Sequence, residues 1–224
     1  MNNLKKILNI AYALTLILVL FLGCNETRSE KIIQKKQVMD NQNKNLDTAT
    51  FASGCFWCTE AIFERVNGVK SVISGYSGGT VPNPTYEEVC TGNTGHAECT
   101  QIIYDPSVIS YDELLEIFWK MHDPTTLNRQ GNDVGTQYRS AIFYHNEQQK
   151  EKAEYYKKKL TDEKIWDKPI VTEITKFTKF YPAENYHQEY YDKNPNQGYC
   201  AYVITPKVEK FEKIFKDKLK KYIN

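Results

Sequence analysis

The alternation of apolar and polar positions divides the chain before any motif is considered. Residues 1–24 (MNNLKKILNIAYALTLILVLFLGC) start with Lys5 and Lys6. They continue as an apolar run from Ile7 to Leu22, broken only by Asn9, Tyr12 and Thr15, and end in Gly23-Cys24. A positive start, a short apolar stretch and a small residue before the break make a secretory signal layout; the run is short for a membrane-anchoring helix, the other reading. Residues 25–47 (NETRSEKIIQKKQVMDNQNKNLD) contain no aromatic and are dominated by Asn, Gln and Lys, too polar to bury a core. As a flexible coil such a segment spans roughly 25–30 Å. The expected organisation is therefore a signal at 1–23, a residue-24 anchor with a polar tether to 47, and one folded domain over 48–224.

Within that domain the periodicity switches repeatedly. Thr48–Ser53 is a strand candidate, and Gly54 breaks it. Cys55–Val66 can wind as a helix with Ala61, Ile62 and Val66 on one face. Val69–Tyr76 is β-rich, Tyr86–Cys90 suits a short helix, and Glu98–Tyr104 alternates toward a strand. Ser110 with Glu113 forms a capping box ahead of a helix carrying Leu114, Leu115, Ile117, Phe118 and Met121. His122–Tyr138 is polar and aperiodic, a length of loop that is often functional. Arg139–His145 predicts a strand, Asn146–Glu163 a lysine-rich surface helix, and Val171–Phe180 a strand. Glu184–Lys193 predicts a short helix, Tyr199–Thr205 a strand, and Lys207–Tyr222 an amphipathic helix. Strands and helices alternate without a long parallel series, so the expected class is α+β, a mixed α/β sandwich.

Composition narrows the partners. The 224 residues carry 29 Lys+Arg against 28 Asp+Glu, a net charge of +1, which leaves no basic excess for nucleic acid. Six cysteines are too sparse for a disulfide scaffold but suffice for redox chemistry. The ending Phe21-Leu22-Gly23-Cys24 resembles a bacterial lipobox, although Phe21 stands where Leu is usual. That resemblance implies lipidation of Cys24 and a protein held on a bacterial cell membrane without spanning it. Export would place the other cysteines in an oxidising compartment.

The chemical centre is Gly54-Cys55-Phe56-Trp57-Cys58. Cys55 sits where a strand turns into a helix, and free N–H groups there favour a thiolate. Cys58 lies three residues on, on the same helix face. A zinc site needs four ligands, and Cys90 and Cys99 do not supply a second close pair; no metal is expected. A buried structural cysteine pair and a thioredoxin-like CxxC module are the remaining alternatives. The second would make the chain a membrane-tethered thiol–disulfide oxidoreductase, but it gives the Gly-rich loop and the aromatics no role. A further rival is a lipoprotein that merely holds a ligand in the Gly-rich cleft.

Gly54–Glu60 (GCFWCTE) resembles the signature of the class A peptide methionine sulfoxide reductases. The resemblance continues through Gly75–Gly79 (GYSGG), Tyr86–Gly92 (YEEVCTG), Thr94–Glu98 (TGHAE), Asp133–Ser140 (DVGTQYRS), Tyr186-His187-Gln188 and Asn194-Pro195. These blocks stand in family order across about residues 50–205. The resemblance implies a ferredoxin-like core with long loops and extended coil, no cofactor, and thiol-dependent reduction of methionine (S)-sulfoxide, free or in oxidised proteins. Thioredoxin or an equivalent thiol donor is the implied partner, and the protein is expected to be a monomer. Cys55 becomes the nucleophile that attacks the substrate sulfur and turns into a sulfenic acid. Glu98 becomes the acid for the departing oxygen, its pKa raised by burial. Tyr86 and Tyr138 become the hydroxyls on that oxygen, Asp133 the acid that arranges the network through water, and Phe56 and Trp57 the walls around the methyl group. Cys200 and Cys58 compete as the resolving cysteine. Many relatives keep theirs in a mobile Gly-rich tail, from which this chain departs. His187 and His96 read as structural, and Cys90 and Cys99 as buried or unpaired.

Overall fold

The computed structural model describes residues 45–221; the expected signal, Cys24 and the tether as far as Lys44 lie outside the described residues. Strand β1 (Asp47–Ser53) opens the domain one residue ahead of the expected start. It is followed by α1 (Phe56–Phe63), β2 (Val69–Ser77), the short α2 (Tyr86–Cys90), β3 (Ala97–Tyr104) and α3 (Tyr111–Met121). A small hairpin comes next, β4 (Arg129–Gln130) with β5 (Asp133–Val134), and then β6 (Ser140–Tyr144) and α4 (Glu147–Asp162). The chain continues through β7 (Glu173–Lys176), β8 (Phe180–Pro182), α5 (Tyr190–Lys193), a π-helical turn at Cys200–Ile204 and α6 (Thr205–Ile214).

Six strands form one sheet in the order β7-β6-β1-β3-β2-β8. β6 and β7 are parallel; the other neighbours run antiparallel. The inner four, β6-β1-β3-β2, with α1 after the first and α3 after the third in chain order, make a βαββαβ unit. This is the ferredoxin-like, mixed α/β core that the sequence predicted.

Pleating sends successive side chains of β1 to opposite faces. Ala49 and Phe51 join the main core with Ile62 and Phe63 of α1 and Leu114, Leu115, Ile117 and Phe118 of α3. Ala52 points the other way, among Ala97, Cys99, Ala141 and Phe143. Cys99 is therefore a free, buried small apolar side chain of the second face, which accounts for a residue the sequence left unexplained. The capping box at α3 forms in both directions. Glu113 N donates to Ser110 Oγ at 3.2 Å, and Ser110 N donates to Glu113 Oε2 at 2.8 Å. Together the two bonds satisfy two of the amides that a helix start leaves free. Among the described residues no helix is long and apolar enough to cross a membrane.

Three local expectations are corrected. Tyr199–Thr205 is not a strand but the π-helical turn leading into α6; the edges of the four inner strands are already covered by β7 and β8, and the β-branched residues Val203 and Ile204 join the apolar cluster around Cys55 and Val208 instead. The helix expected over Lys207–Tyr222 ends at Ile214, and a 3-10 turn follows at Lys216–Lys218. The single strand expected over Val171–Phe180 is two short strands that pair with opposite edges of the sheet, β7 with β6 and β8 with β2.

Candidate active site

The strand-to-helix corner at the end of β1 carries the reactive pair. Gly54 has φ +90°, and a Cβ there would lie 2.5 Å from Cβ of Gln130. Only glycine adopts that turn readily and clears that neighbour. Cys55 is the N-cap of α1 and its carbonyl accepts from the amides of Cys58, at 3.1 Å, and Thr59, at 3.4 Å. Cys58 is thereby folded back over the same corner. Both cysteines are free and buried.

The electrostatics of the pair correct one expectation. The helix start does not hold Cys55 as the thiolate. Burial pushes its thiol well up, and the hydrogen bond and charge of Cys58 and the charge of Glu98 act the same way. The first helical amide, Phe56 N, is directed at Glu98 Oε2 at 3.1 Å. Cys58 moves the opposite way, down to about 7, through the hydrogen bond from Cys55 and then, against its own burial, through the ammonium of Lys207. Lys207 Nζ donates to Cys58 Sγ at 3.4 Å. The first negative charge of the pair therefore sits on Cys58, with Cys55 as the thiol donor beside it.

Glu98 lies on β3 and is buried to 1 % exposure. Burial raises its pKa to about 8, opposed by the Phe56 amide and assisted by the charges of Asp133 and Cys58. At neutral pH it holds a proton, as a general acid must. Asp133 accepts from the hydroxyl of Tyr199 at 2.7 Å. That hydroxyl also lies beside Cys55 and Cys58 and lowers the pKa of both thiols. Tyr199 thus links the acidic side of the site to the sulfurs, a role for which Asp133 was expected to need water.

The remaining predicted residues converge on the cluster around Cys55 and Cys58. Tyr86, half-buried at the start of α2, and Tyr138, half-buried after β5, both experience the charge of Glu98 and have pKa values raised by burial. Both hydroxyls are kept as donors. Phe56 stacks near Tyr86, with centroids 6.5 Å apart, and Trp57 lies face to face with Tyr190 at 3.8 Å. The Tyr186-His187-Gln188 segment holds these walls from behind. Trp57 Nε1 donates to His187 Nδ1 at 3.2 Å, and the His187 ring packs 4.4 Å from Tyr86 and 5.1 Å from Phe56. Glu184 accepts from Tyr86 N at 2.9 Å and from the Tyr76 hydroxyl at 3.0 Å, fixing α2 to the sheet. Arg139 donates to Gly95 O and Thr136 O, both at 3.1 Å, so the loop before Glu98 and the loop before Tyr138 are tied together. His96 serves the glycine loop, accepting from Gly79 N at 3.0 Å.

The two resolving candidates lie in different surroundings. Cys200 is fully buried at the start of the π-helical turn, where desolvation and the charge of Cys58 raise its pKa. Cys58 adjoins Cys55 directly. Cys90 is free and exposed. Tyr199, Lys207, Tyr190 and Glu184 belong to the site and were missed by the sequence reading. Tyr199 is one of 16 tyrosines and Lys207 lies among the many lysines of the C-terminal stretch, so nothing local distinguished them.

Comparison with known proteins agrees with this arrangement. Residues 47–219 match the family model described as peptide methionine sulfoxide reductase. The peptide methionine sulfoxide reductase MsrA of Saccharolobus solfataricus is 60% identical over 175 residues, covering 78% of this chain and 98% of that protein. The MsrA of Sulfolobus acidocaldarius is 62% identical over 173 residues, 77% of this chain and 97% of its own length. Among solved structures, the methionine sulfoxide reductase A of Corynebacterium diphtheriae superposes with a TM-score of 0.63 at 39% identity, over 70% of this chain and 79% of that one. Reduced Mxr1 of Saccharomyces cerevisiae gives 0.64 at 38% identity, over 70% and 90%. By this match over most of the chain, and with the corner cysteine and the two tyrosines in one cluster, the chain belongs to the peptide methionine sulfoxide reductase family, in its A class.

Proposed function

We propose that the chain reduces methionine (S)-sulfoxide, free and within oxidised proteins, at the expense of thiols. The observation that carries this reading is the pairing of Cys55 with Glu98, a buried carboxyl that keeps its proton near neutral pH and contacts the amide next to the nucleophile. The sulfoxide methyl would lie against Phe56 and Trp57, with its oxygen toward Tyr86, Tyr138 and Glu98. Cys55 attacks the substrate sulfur as a thiolate, Glu98 gives the oxygen its proton, and methionine leaves with Cys55 as a sulfenic acid. Cys58 then closes a disulfide with Cys55, which thioredoxin or an equivalent dithiol reduces. A CxxC oxidoreductase would have no use for a buried protonated acid flanked by two tyrosine hydroxyls.

The test is incubation with dithiothreitol and each sulfoxide epimer. Methionine should form from the S epimer alone, and Cys55→Ser should abolish it; turnover of the R epimer, or ordinary turnover by that variant, refutes the reading. Cys58→Ser should still release one methionine per chain yet lose thioredoxin-driven turnover, while Cys200→Ser keeps both. The reverse pattern would make Cys200 the resolving residue. We also propose, from the sequence of residues 1–47, that the enzyme is exported and lipid-anchored through Cys24, where it would repair envelope proteins. Radiolabelled palmitate incorporation that is lost in Cys24→Ala would support this; label retained in the variant would exclude it.

A further inference from the structure

We propose that Lys207 is a positioning residue of the thiol cycle. It reaches in from the first turn of α6 and holds the sulfur of Cys58 as the thiolate that first accepts the Cys55 proton and later closes the disulfide. The proposal rests on the reading of Cys55 as the nucleophile. Its geometric basis is the contact of 3.4 Å between Lys207 Nζ and Cys58 Sγ. Among the described residues Lys207 has no carboxylate within ion-pairing distance. A half-buried ammonium directed at a buried sulfur, with no acid to satisfy it, is matched by a thiolate.

The groups facing Cys58 from other elements do not substitute for it. Cys55, at the N-cap of α1, is a neutral donor toward the sulfur, and Tyr199, on the turn before α6, gives its hydroxyl proton to Asp133. Glu98 of β3 interacts unfavourably with charge on Cys58, as does Cys200. Asp133 is engaged by Tyr199. His122, at the end of α3, lies near Lys207 and is kept neutral by burial, with its two ring nitrogens on Phe118 O and Ser140 Oγ. The lysine is therefore the cation that favours ionisation of Cys58, which occurs near pH 7.

Atoms and electrons balance through both halves. The Cys58 thiolate takes the proton of Cys55, and the resulting Cys55 thiolate attacks the sulfoxide sulfur. The S–O bond breaks as the oxygen passes to Cys55 and accepts the Glu98 proton, giving methionine, a Cys55 sulfenic acid, a Cys58 thiol and a Glu98 carboxylate. Cys58 then attacks the sulfenic sulfur. Its proton leaves with the hydroxyl as water and the Cys55–Cys58 disulfide forms. Two electrons have passed from the sulfur pair to the sulfoxide; one proton of the water came from the pair and the other from Glu98. An external dithiol restores the thiols and their protons.

The experiment uses the full chain with Lys207→Met and Lys207→Arg. Single turnover with methionine (S)-sulfoxide is followed from pH 6 to 9, reading methionine release and thiol loss separately. The pH dependence of Cys58 alkylation by iodoacetamide is read by peptide mass spectrometry. In Lys207→Met the Cys58 midpoint should rise by about one pH unit or more, leaving roughly fivefold less thiolate at pH 7, or lower still. Both steps should slow about fivefold or more at pH 7 and recover at pH 9, and Lys207→Arg should stay within about twofold of the parent. A loss equal at pH 7 and pH 9 would mean a merely structural lysine and overturn the proposal; so would unchanged rates at pH 7. If Lys207→Met does not fold, the parent decides, because Cys55 alkylating at lower pH than Cys58 overturns the proposal without any variant. Absence of methionine from the parent would instead defeat the proposed activity itself.

Discussion

Replacing Glu98 by Gln should remove activity and, at the same time, stabilise the fold in a pH-dependent way. An unfolded glutamate ionises near 4.5, whereas in the fold burial holds the Glu98 proton to about 8. Between these values the folded chain binds a proton that the unfolded chain has released, so this group's contribution to stability falls as pH rises through the window. Below 4.5 both states are protonated and nothing is lost. Above about 8 both are ionised and the full penalty applies. At 1.36 kcal/mol per pH unit the penalty reaches about 4–5 kcal/mol. The Glu98→Gln variant does not titrate at this position and retains an oxygen to accept from Phe56 N. Its stability relative to the parent should therefore climb by up to that amount between pH 5 and pH 9. Urea unfolding of both reduced proteins across this pH range measures it directly, as a difference in midpoint times slope. In parallel, methionine release should drop by about 10²–10⁴, the usual contribution of a positioned acid. A stability difference that stays flat from pH 5 to 9 would show Glu98 ionised at an ordinary pKa in the fold and unfit to donate a proton at neutrality.

Two further perturbations test the corner and its hydrogen bonds. Gly54→Ala places a Cβ against Gln130 at a φ of +90°; it should destabilise by more than about 2 kcal/mol and lower the thermal midpoint by roughly 4–8 °C, and an unchanged midpoint would deny that the corner is constrained. Tyr199→Phe removes the 2.7 Å bond to Asp133, worth about 1.5–2 kcal/mol at a half-buried charged acceptor. Single-turnover methionine release should fall roughly tenfold or more, and a rate equal to the parent's would remove Tyr199 from the reacting centre.

The parts of the molecule that sequence made legible are those whose signal is local. Ser110 and Glu113 announce α3 because a capping box is a four-residue device. The strands β1, β3 and β6 carry their alternation within a few positions. Cys55, Glu98, Tyr86 and Tyr138 came through motif blocks, each intelligible by itself. Residues whose meaning depends on distant partners did not come through. Tyr199 matters because Asp133, 66 positions earlier, accepts from it, and Lys207 because Cys58 lies 149 positions away. The protonation of the cysteine pair depends on distant residues too: a helix start argues for a Cys55 thiolate, but burial raises Cys55, and its hydrogen bond to Cys58, with Lys207 from far along the chain, favours the charge on Cys58. The π-helical turn reads as a strand in the sequence because β-branched Val203 and Ile204 satisfy either conformation when buried.

The placement of Tyr199 and Lys207 bears on how the enzyme is made. The sheet, the buried acid and both cysteines are complete by Pro182, while the tyrosine beside the sulfurs and the lysine on Cys58 come later in the chain. At about 5–20 residues per second, a growing chain carries its two corner cysteines for seconds before either partner exists. During that interval Cys58 lacks its ammonium, and the pair carries the ordinary pKa values of unpartnered thiols. The division of charge between Cys58 and Cys55 is set only when the C-terminal turn and α6 dock, so the corner is built before it is tuned.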